Sequence, residues 1–390
     1  MNNGTAALRI DVNKSVRDIL QPEWDACANP ANRAYNPFLS HAFLLSLEES
    51  GSASAKMGWA PCHLTLGDGG GNLLAAMPCY LKSHSYGEYV FDHSWAHAYE
   101  RAGGRYYPKL QTAVPFTPVS GRRILLREGV ADEDAIPVLA SAAVDLARRS
   151  RASSWHVTFA TKEEWEALGK LGFLRRTDTQ YHWHNNDYTT FDDFLAALTS
   201  RKRKTIRKER EQARVADIDI EWVTGSDITE AHWDAFFAFY MDTGSRKWGA
   251  PYLNRLFFSL IGQRMADRAL LVMAKRNGSY VAGALNFIGG DTLYGRYWGC
   301  LESHAFLHFE VCYYQAIEYA IAHKLAHVEA GAQGEHKLTR GYAPQTTYSL
   351  HYFADRGLAA AIEQYLGNER SAVAREQALL AEALPYKRDE

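Results

Sequence analysis

GSYVAGALNFIGGDTLYGRYW, residues 278–298, reads as a glycine turn at Gly278, an apolar strand rich in small residues, a polar turn, and a second strand entered at Tyr294-Gly295-Arg296-Tyr297. The same order of signals stands earlier in the chain, in GNLLAAMPCYLKSHSYGEYVF, residues 71–91, where Gly71 matches Gly278 and Tyr86-Gly87-Glu88-Tyr89 matches the second Tyr-Gly-x-Tyr. The flanks agree. CHLTLGDG (62–69) precedes the first copy and LLVMAKRNG (270–278) leads into the second, each a strand ending in a turn. Farther upstream, Gly58-Trp59-Ala60-Pro61 has a looser counterpart in Trp248-Gly249-Ala250-Pro251. Downstream of each copy come a long helical pattern and an apolar strand, SWHVTFA (154–160) or AHVEAGA (326–332). Agreement in element order as well as residue type predicts a duplicated unit.

That unit is helix, three antiparallel strands, helix, strand, then a shorter helix or loop and a closing strand. Mixed sheets flanked by helices form open α/β sandwiches. HNNDYTT (184–190) supplies turn residues at the junction, so the predicted domains are 1–187 and 188–390. Phe191, Phe194, Leu195 and Leu198 open the second domain at helical spacing and predict one buried stripe.

The 390 residues are 47% hydrophobic and 23% charged, ample for two cores. A net charge of −2 excludes nucleic-acid binding through bulk positive charge, though not through a local patch. Five scattered cysteines without a CxxC pair support neither a disulfide framework nor a zinc ribbon. With no basic-then-apolar leader and no run of ~20 apolar residues, a cytoplasmic location without a membrane span is expected. Composition is silent on oligomeric state.

Three strands, helix and strand in tandem resemble the GNAT superfamily plan and, within it, the Fem-like aminoacyl transferases. NPFLSHAFLLSLEESG (36–51), the run 82–125, LYGRYWG (293–299), LHFEVCYYQAIEYAI (307–321) and EAGAQGEHKLTRGYAP (329–344) resemble a bacterial FemAB-like family of predicted N-acyltransferases over nearly the full length. The resemblance implies an α/β (α+β, mixed-sheet) fold of tandem GNAT-like domains. The Glu/Gln/His/Lys/Arg constellation of the second copy makes it the expected catalytic half, and the insertion in the first makes that the half expected to shape the substrate. It implies transfer of an aminoacyl or acyl group to an amine, such as that of a peptidoglycan precursor or another peptide or small molecule. An activated donor, aminoacyl-tRNA or acyl-CoA, would be a co-substrate, with no tightly bound cofactor and no metal. Leucyl/phenylalanyl-tRNA–protein transferases offer a second similarity, which places Glu310 at a helix glutamate and Gln333 at a strand-end glutamine. Phe309 and Val311 depart from that pattern.

Acyl transfer to an amine needs a proton acceptor, stabilisation of the carbonyl oxygen as it becomes negative, and close positioning. The 329–344 segment is the densest source of such groups. His336 or Glu310 would relay the proton and Gln333 would assist. Lys337 and Arg340, with Arg296, Tyr297 and Trp298 of the preceding strand, would hold substrate or phosphate. Glu310 either has a carboxyl perturbed among aromatics or is an acid placed at a helix start for the dipole. The segment itself is either a binding loop or a polar surface turn.

In the first half, Asp92, His93, His97 and Glu100 converge if helical, with His93 a substrate-cleft candidate. The proline-rich run 106–123 reads as a rigid wall with cationic ends at Lys109, Arg122 and Arg123, or as a plain extended connection. SRKRKTIRKERE (200–211) is a basic helix whose Arg203 and Arg207 could meet phosphates, tRNA included; its charge is otherwise neutralised by Glu209 and Glu211. The glycine-rich pyrophosphate loop of acetyl-CoA enzymes is missing after LYGRYWG, where LESHAFLHFE stands, which disfavours acetyl-CoA. Acyl-CoA-dependent transfer and a non-catalytic ligand-binding protein remain the competing readings.

Overall fold

A computed structural model describes residues 8–214, 217–247, 251–331 and 334–387, with only the backbone of Ser245–Lys247 and Glu335. Gln333 and the Trp248-Gly249-Ala250 match lie outside the described residues. The chain divides into two compact units, Met1–Asp178 with Thr346–Ala374, and Thr179–Gln345 with Arg375–Glu390. The division therefore crosses the 187/188 boundary read from the turn residues, because the segment 346–374 joins the first unit.

In the second unit, Ile218–Thr224, Ala269–Arg276, Ser279–Ile288 and Thr292–Cys300 form consecutive antiparallel pairs. Thr292–Tyr294 then pairs in parallel with His327–Glu329, which pairs antiparallel with His182–His184 at the end of strand Leu174–His184. Alternation sets the two faces. Leu270, Val272 and Ala274 pack with Ile206, Leu307, Val311, Ile317 and Ile321 of the helices on one side. The helix Glu230–Lys247 packs against strands Ser279–Ile288 and Thr292–Cys300, where a Cβ on Gly299 would lie 2.1 Å from the Phe239 carbonyl oxygen. Helix Phe191–Ala197 opens with a capping box, Thr190 with Asp193, and buries Phe194 and Leu195 as the spacing predicts.

The first unit repeats the arrangement with changes. Cys79–Lys82 pairs antiparallel with Lys109–Thr112, which pairs in parallel with Ser154–Ala160. Ser154–Ala160 is in turn antiparallel to Tyr348–Phe353. Each unit is thus closed by a strand taken from the other half of the sequence. A second sheet runs Arg9–Asn13, His63–Gly67, Leu73–Met77, Leu125–Leu126, all antiparallel. Its apolar face packs on helix Asp132–Arg149 through Ile136, Leu139, Ala140 and Ala143.

One expectation is corrected here. Tyr86-Gly87-Glu88-Tyr89 is a turn, not a strand start, with Gly87 at φ +81° and Tyr89 at φ +58°. The second strand of the first copy is Lys109–Thr112, delayed by the inserted helix His93–Arg101. The GNAT-like plan therefore appears in tandem, in complete form in the second unit and interrupted in the first.

Candidate functional site

The second unit builds a buried polar cluster where two parallel strands part. Pairing between Thr292–Tyr294 and His327–Glu329 stops after three residues. Just beyond it the register of the neighbouring hairpin slips. Leu285 faces Tyr297 and Asn286 faces Gly295, so Arg296 is the extra residue of a β-bulge. Bulges re-aim a side chain, and here the Arg296 guanidinium is buried, donating to Glu329 Oε2 at 2.8 Å and to the Gly295 carbonyl at 2.9 Å. Tyr297 goes to one side, with its ring against Tyr240, while Trp298 meets His308.

The short helix Glu335–Arg340 completes the cluster. Lys337 is 2% exposed and donates to the Gly331 carbonyl at 3.0 Å. Among the described side chains no carboxylate pairs with it. Burial, helped by the nearby Arg296 charge, pulls its pKa down to about 7. Glu329 thus pairs with Arg296, while Lys337 is held by a backbone carbonyl alone among the described residues. His336, exposed one residue earlier, shares a 2.9 Å hydrogen bond with the Tyr313 hydroxyl. Partial burial, then the charges of Lys337 and Arg340, lower the pKa of His336, favouring neutral imidazole near pH 7.

Glu310 is placed differently from expectation. It is fully buried at the start of a wide helical turn, in which the Gln315 N–H reaches the Glu310 carbonyl five residues back. Its carboxylate accepts from Arg210 Nε at 3.0 Å and Nη2 at 2.9 Å, from Arg214 at 3.2 Å and from Gln315 at 2.8 Å. It is held by arginines rather than isolated among aromatics, so the proton-relay role does not fit it. The signal was available, because Arg210 and Arg214 are four apart on one helix face and can bracket one carboxylate.

Arg340 is also committed internally. It lies over the Phe309 ring at 3.5 Å and donates to both oxygens of Glu209 at 2.9 Å, and the Tyr314 hydroxyl donates to the same carboxylate. Glu209 therefore does not neutralise the basic helix. On that helix, Ser200–Ala213, Arg207 pairs with Asp192 at 3.0 Å, whereas Arg201, Lys202, Arg203, Lys204 and Lys208 make no ion pair among the described residues. Arg201, Lys204 and Lys208 are exposed on one face.

The first-unit candidates separate. His93, His97 and Glu100 lie on the exposed side of their helix, away from Asp92, which is buried. Lys109 is fully buried and donates to Ser85 at 2.7 Å, Glu88 at 2.7 Å and Asp92 at 2.5 Å, so it is an internal anchor and not the end of a cationic wall. Arg123 is likewise spent on backbone carbonyls, including that of Thr158 at 2.8 Å, and Arg122 on Asp132 at 2.6 Å. Sequence reading missed Lys82, which sits over the Trp59 ring at 3.5 Å with burial pulling its pKa to about 7. It also missed a pair of histidine pairs. His156 and His351 meet through their Nδ1 atoms at 2.7 Å in the first unit, His184 and His327 at 2.9 Å in the second. The shared His-Val of 156–157 and 327–328 was the available signal.

Among the described residues no group of three or more His, Cys, Asp or Glu could hold a metal, and no helix is long and apolar enough to cross a membrane.

The chain is similar in fold to FemX, at 13% identity and TM-score 0.56 over 88% of this chain and 98% of that one. It is also similar to the C-terminal domain of a putative lysylphosphatidylglycerol synthetase from Agrobacterium fabrum, at 8% identity and TM-score 0.51 over 88% and 96%. L-PGS from Bacillus licheniformis aligns at 10% identity and TM-score 0.50 over 92% and 99%. Such identities speak for the fold alone. No curated protein matches significantly. The model of the FemAB-like family, described as peptidoglycan biosynthesis/recognition, matches residues 15–388, and the chain belongs to that family.

Proposed function

We propose that this protein transfers an acyl group, in the favoured form an aminoacyl group from tRNA, to an amine acceptor, with the chemistry in the second unit. One observation carries the reading. Lys337 is buried beside Arg296, with no carboxylate partner among the described side chains, where two parallel strands part. Ligands of open α/β sheets bind beyond strand ends, and a buried excess of positive charge stabilises an oxygen that becomes negative during reaction.

In this reading the acceptor amine loses its proton to neutral His336 and attacks the donor carbonyl. Lys337 and Arg296 hold the oxyanion, and the donor's ester or thioester oxygen or sulfur leaves. The exposed Arg201, Lys204 and Lys208 face offers a phosphate backbone a place to lie, which favours aminoacyl-tRNA over acyl-CoA. The family description points to an acceptor of peptidoglycan-precursor type. Cytoplasmic location belongs to the same reading, since both donors are cytoplasmic molecules.

The test is to incubate the protein with aminoacyl-tRNA, acetyl-CoA and longer acyl-CoAs, each with and without peptide amines, and to follow donor loss by mass spectrometry. Amine-dependent loss of the aminoacyl ester supports the reading. Loss of acyl-CoA alone transfers it to the competing donor, and consumption of none removes it.

A further inference from the structure

The four-stranded sheet of the first unit ends on an edge strand, Arg9–Asn13, which among the described residues pairs only with His63–Gly67. Ile10 lies opposite Leu66 and Val12 opposite Leu64, so both extend the apolar face that packs on helix Asp132–Arg149. The helix does not cover the last strand. Ile10 is 41% exposed and Val12 49%, and they line an open groove of about 590 Å³ with Leu64, Val138, Ala142 and Leu146. Leu8, two residues before Ile10, is exposed as well. An unprotected apolar edge invites another strand.

The occupant is written into the edge itself. Leu8-Arg9-Ile10-Asp11-Val12 is self-complementary about Ile10 when paired antiparallel with its own copy. Ile10 then faces Ile10, Arg9 faces Asp11 in both directions, and Leu8 faces Val12. Arg9 and Asp11 are well exposed and already reach one another at 2.9 Å within the strand, so their charges lie on one face of the edge. Across a two-fold axis they form an alternating quartet, while the Leu8, Ile10 and Val12 side chains of both copies close over the two grooves. One residue of slip would place Arg9 against Ile10 and send the apolar side chains to the wrong face.

We infer that two copies of this chain associate through antiparallel pairing of residues 8–12, joining their four-stranded sheets into one of eight. The interface is isologous, as a two-fold axis requires. It leaves the Arg296–Lys337 cluster untouched and does not depend on the proposed transfer activity.

Sedimentation velocity on the full chain tests it. Wild type is expected to be dimeric, and Arg9→Asp, which sets like charges opposite one another twice, to weaken the dimer by about tenfold or more. Ile10→Lys is expected to give monomer. The charge swap Arg9→Asp with Asp11→Arg restores the complementary order and the dimer. Circular dichroism checks that each exposed substitution leaves the fold intact. A monomeric wild type, a dimer indifferent to Arg9→Asp and Ile10→Lys, or failure of the swap to rescue would each overturn the proposal.

Discussion

Lys337 carries the sharpest consequences at the scale of one residue. Its folded pKa is about 7, whereas the unfolded chain holds that proton to the ordinary lysine range. Between those values the unfolded state binds more protons, so this group's contribution to stability is full above the unfolded value and is lost as pH falls toward 7. Lys337→Met is therefore expected to raise the melting temperature more at pH 7 than at pH 10. The same substitution should cut transfer by about 10²–10³-fold, as loss of an oxyanion donor does elsewhere. A variant that loses activity together with stability would make Lys337 structural. Glu310 behaves oppositely, because Glu310→Gln leaves Arg210 and Arg214 short of a buried counter-charge. It should cost about 3 kcal/mol in urea unfolding and act on turnover only through stability. Residue type alone could not separate these two. Both are charged residues beside aromatics, and the arginines that settle Glu310 lie on a helix about a hundred positions away.

Among the elements, the basic helix shows how far a charge run can be read from sequence. Its density was plain, but the division of labour was not. Ile206, Glu209 and Ala213 are buried, Arg207, Arg210 and Arg214 serve acidic neighbours, and Arg201, Lys204 and Lys208 are left to solvent. Replacing the last three by alanine should leave thermal stability nearly unchanged. The plot of log affinity for tRNA against log salt should become shallower by about three, as fluorescence anisotropy would show. Gly299 was read simply as the end of LYGRYWG, yet it lets helix Glu230–Lys247 lie against the strand. With the Phe239 carbonyl 2.1 Å from its missing Cβ, Gly299→Ala should cost about 2–3 kcal/mol in chemical denaturation. Periodicity located strand and helix; close approach of backbones leaves no mark on periodicity.

For the whole molecule, the duplication was legible from 71–91 and 278–298, and from the flanking strands that repeat with them. Exchange of the closing strands was not, since Leu174–His184 and Ala343–Phe353 read alike whichever unit they close. The histidine pairs record the repeat at the strand following each long helix, and burial holds His156, His351 and His184 in the neutral form. His156 is held at about 3 and His184 at about 4, both below the ordinary histidine value. The unfolded chain takes up protons first as pH falls, so both units should lose stability from about pH 6.5 downward. Replacing His156 and His351 together by glutamine should flatten that acid limb in pH-dependent unfolding. A fragment ending at residue 187 lacks strand Tyr348–Phe353 and should show low protection in hydrogen exchange; a well-protected fragment would contradict the exchange.

That exchange also sets an order of events on the ribosome. The first unit can be copied out as far as Asp178, but it must wait for Thr346–Ala374 before Ser154–Ala160 gains its last neighbour. At ~5–20 residues per second the wait is on the order of ten to thirty seconds. Throughout it the nascent chain presents an open strand to whatever else emerges. Synonymous changes that slow translation between these points should therefore lower soluble yield without altering a single residue of the product.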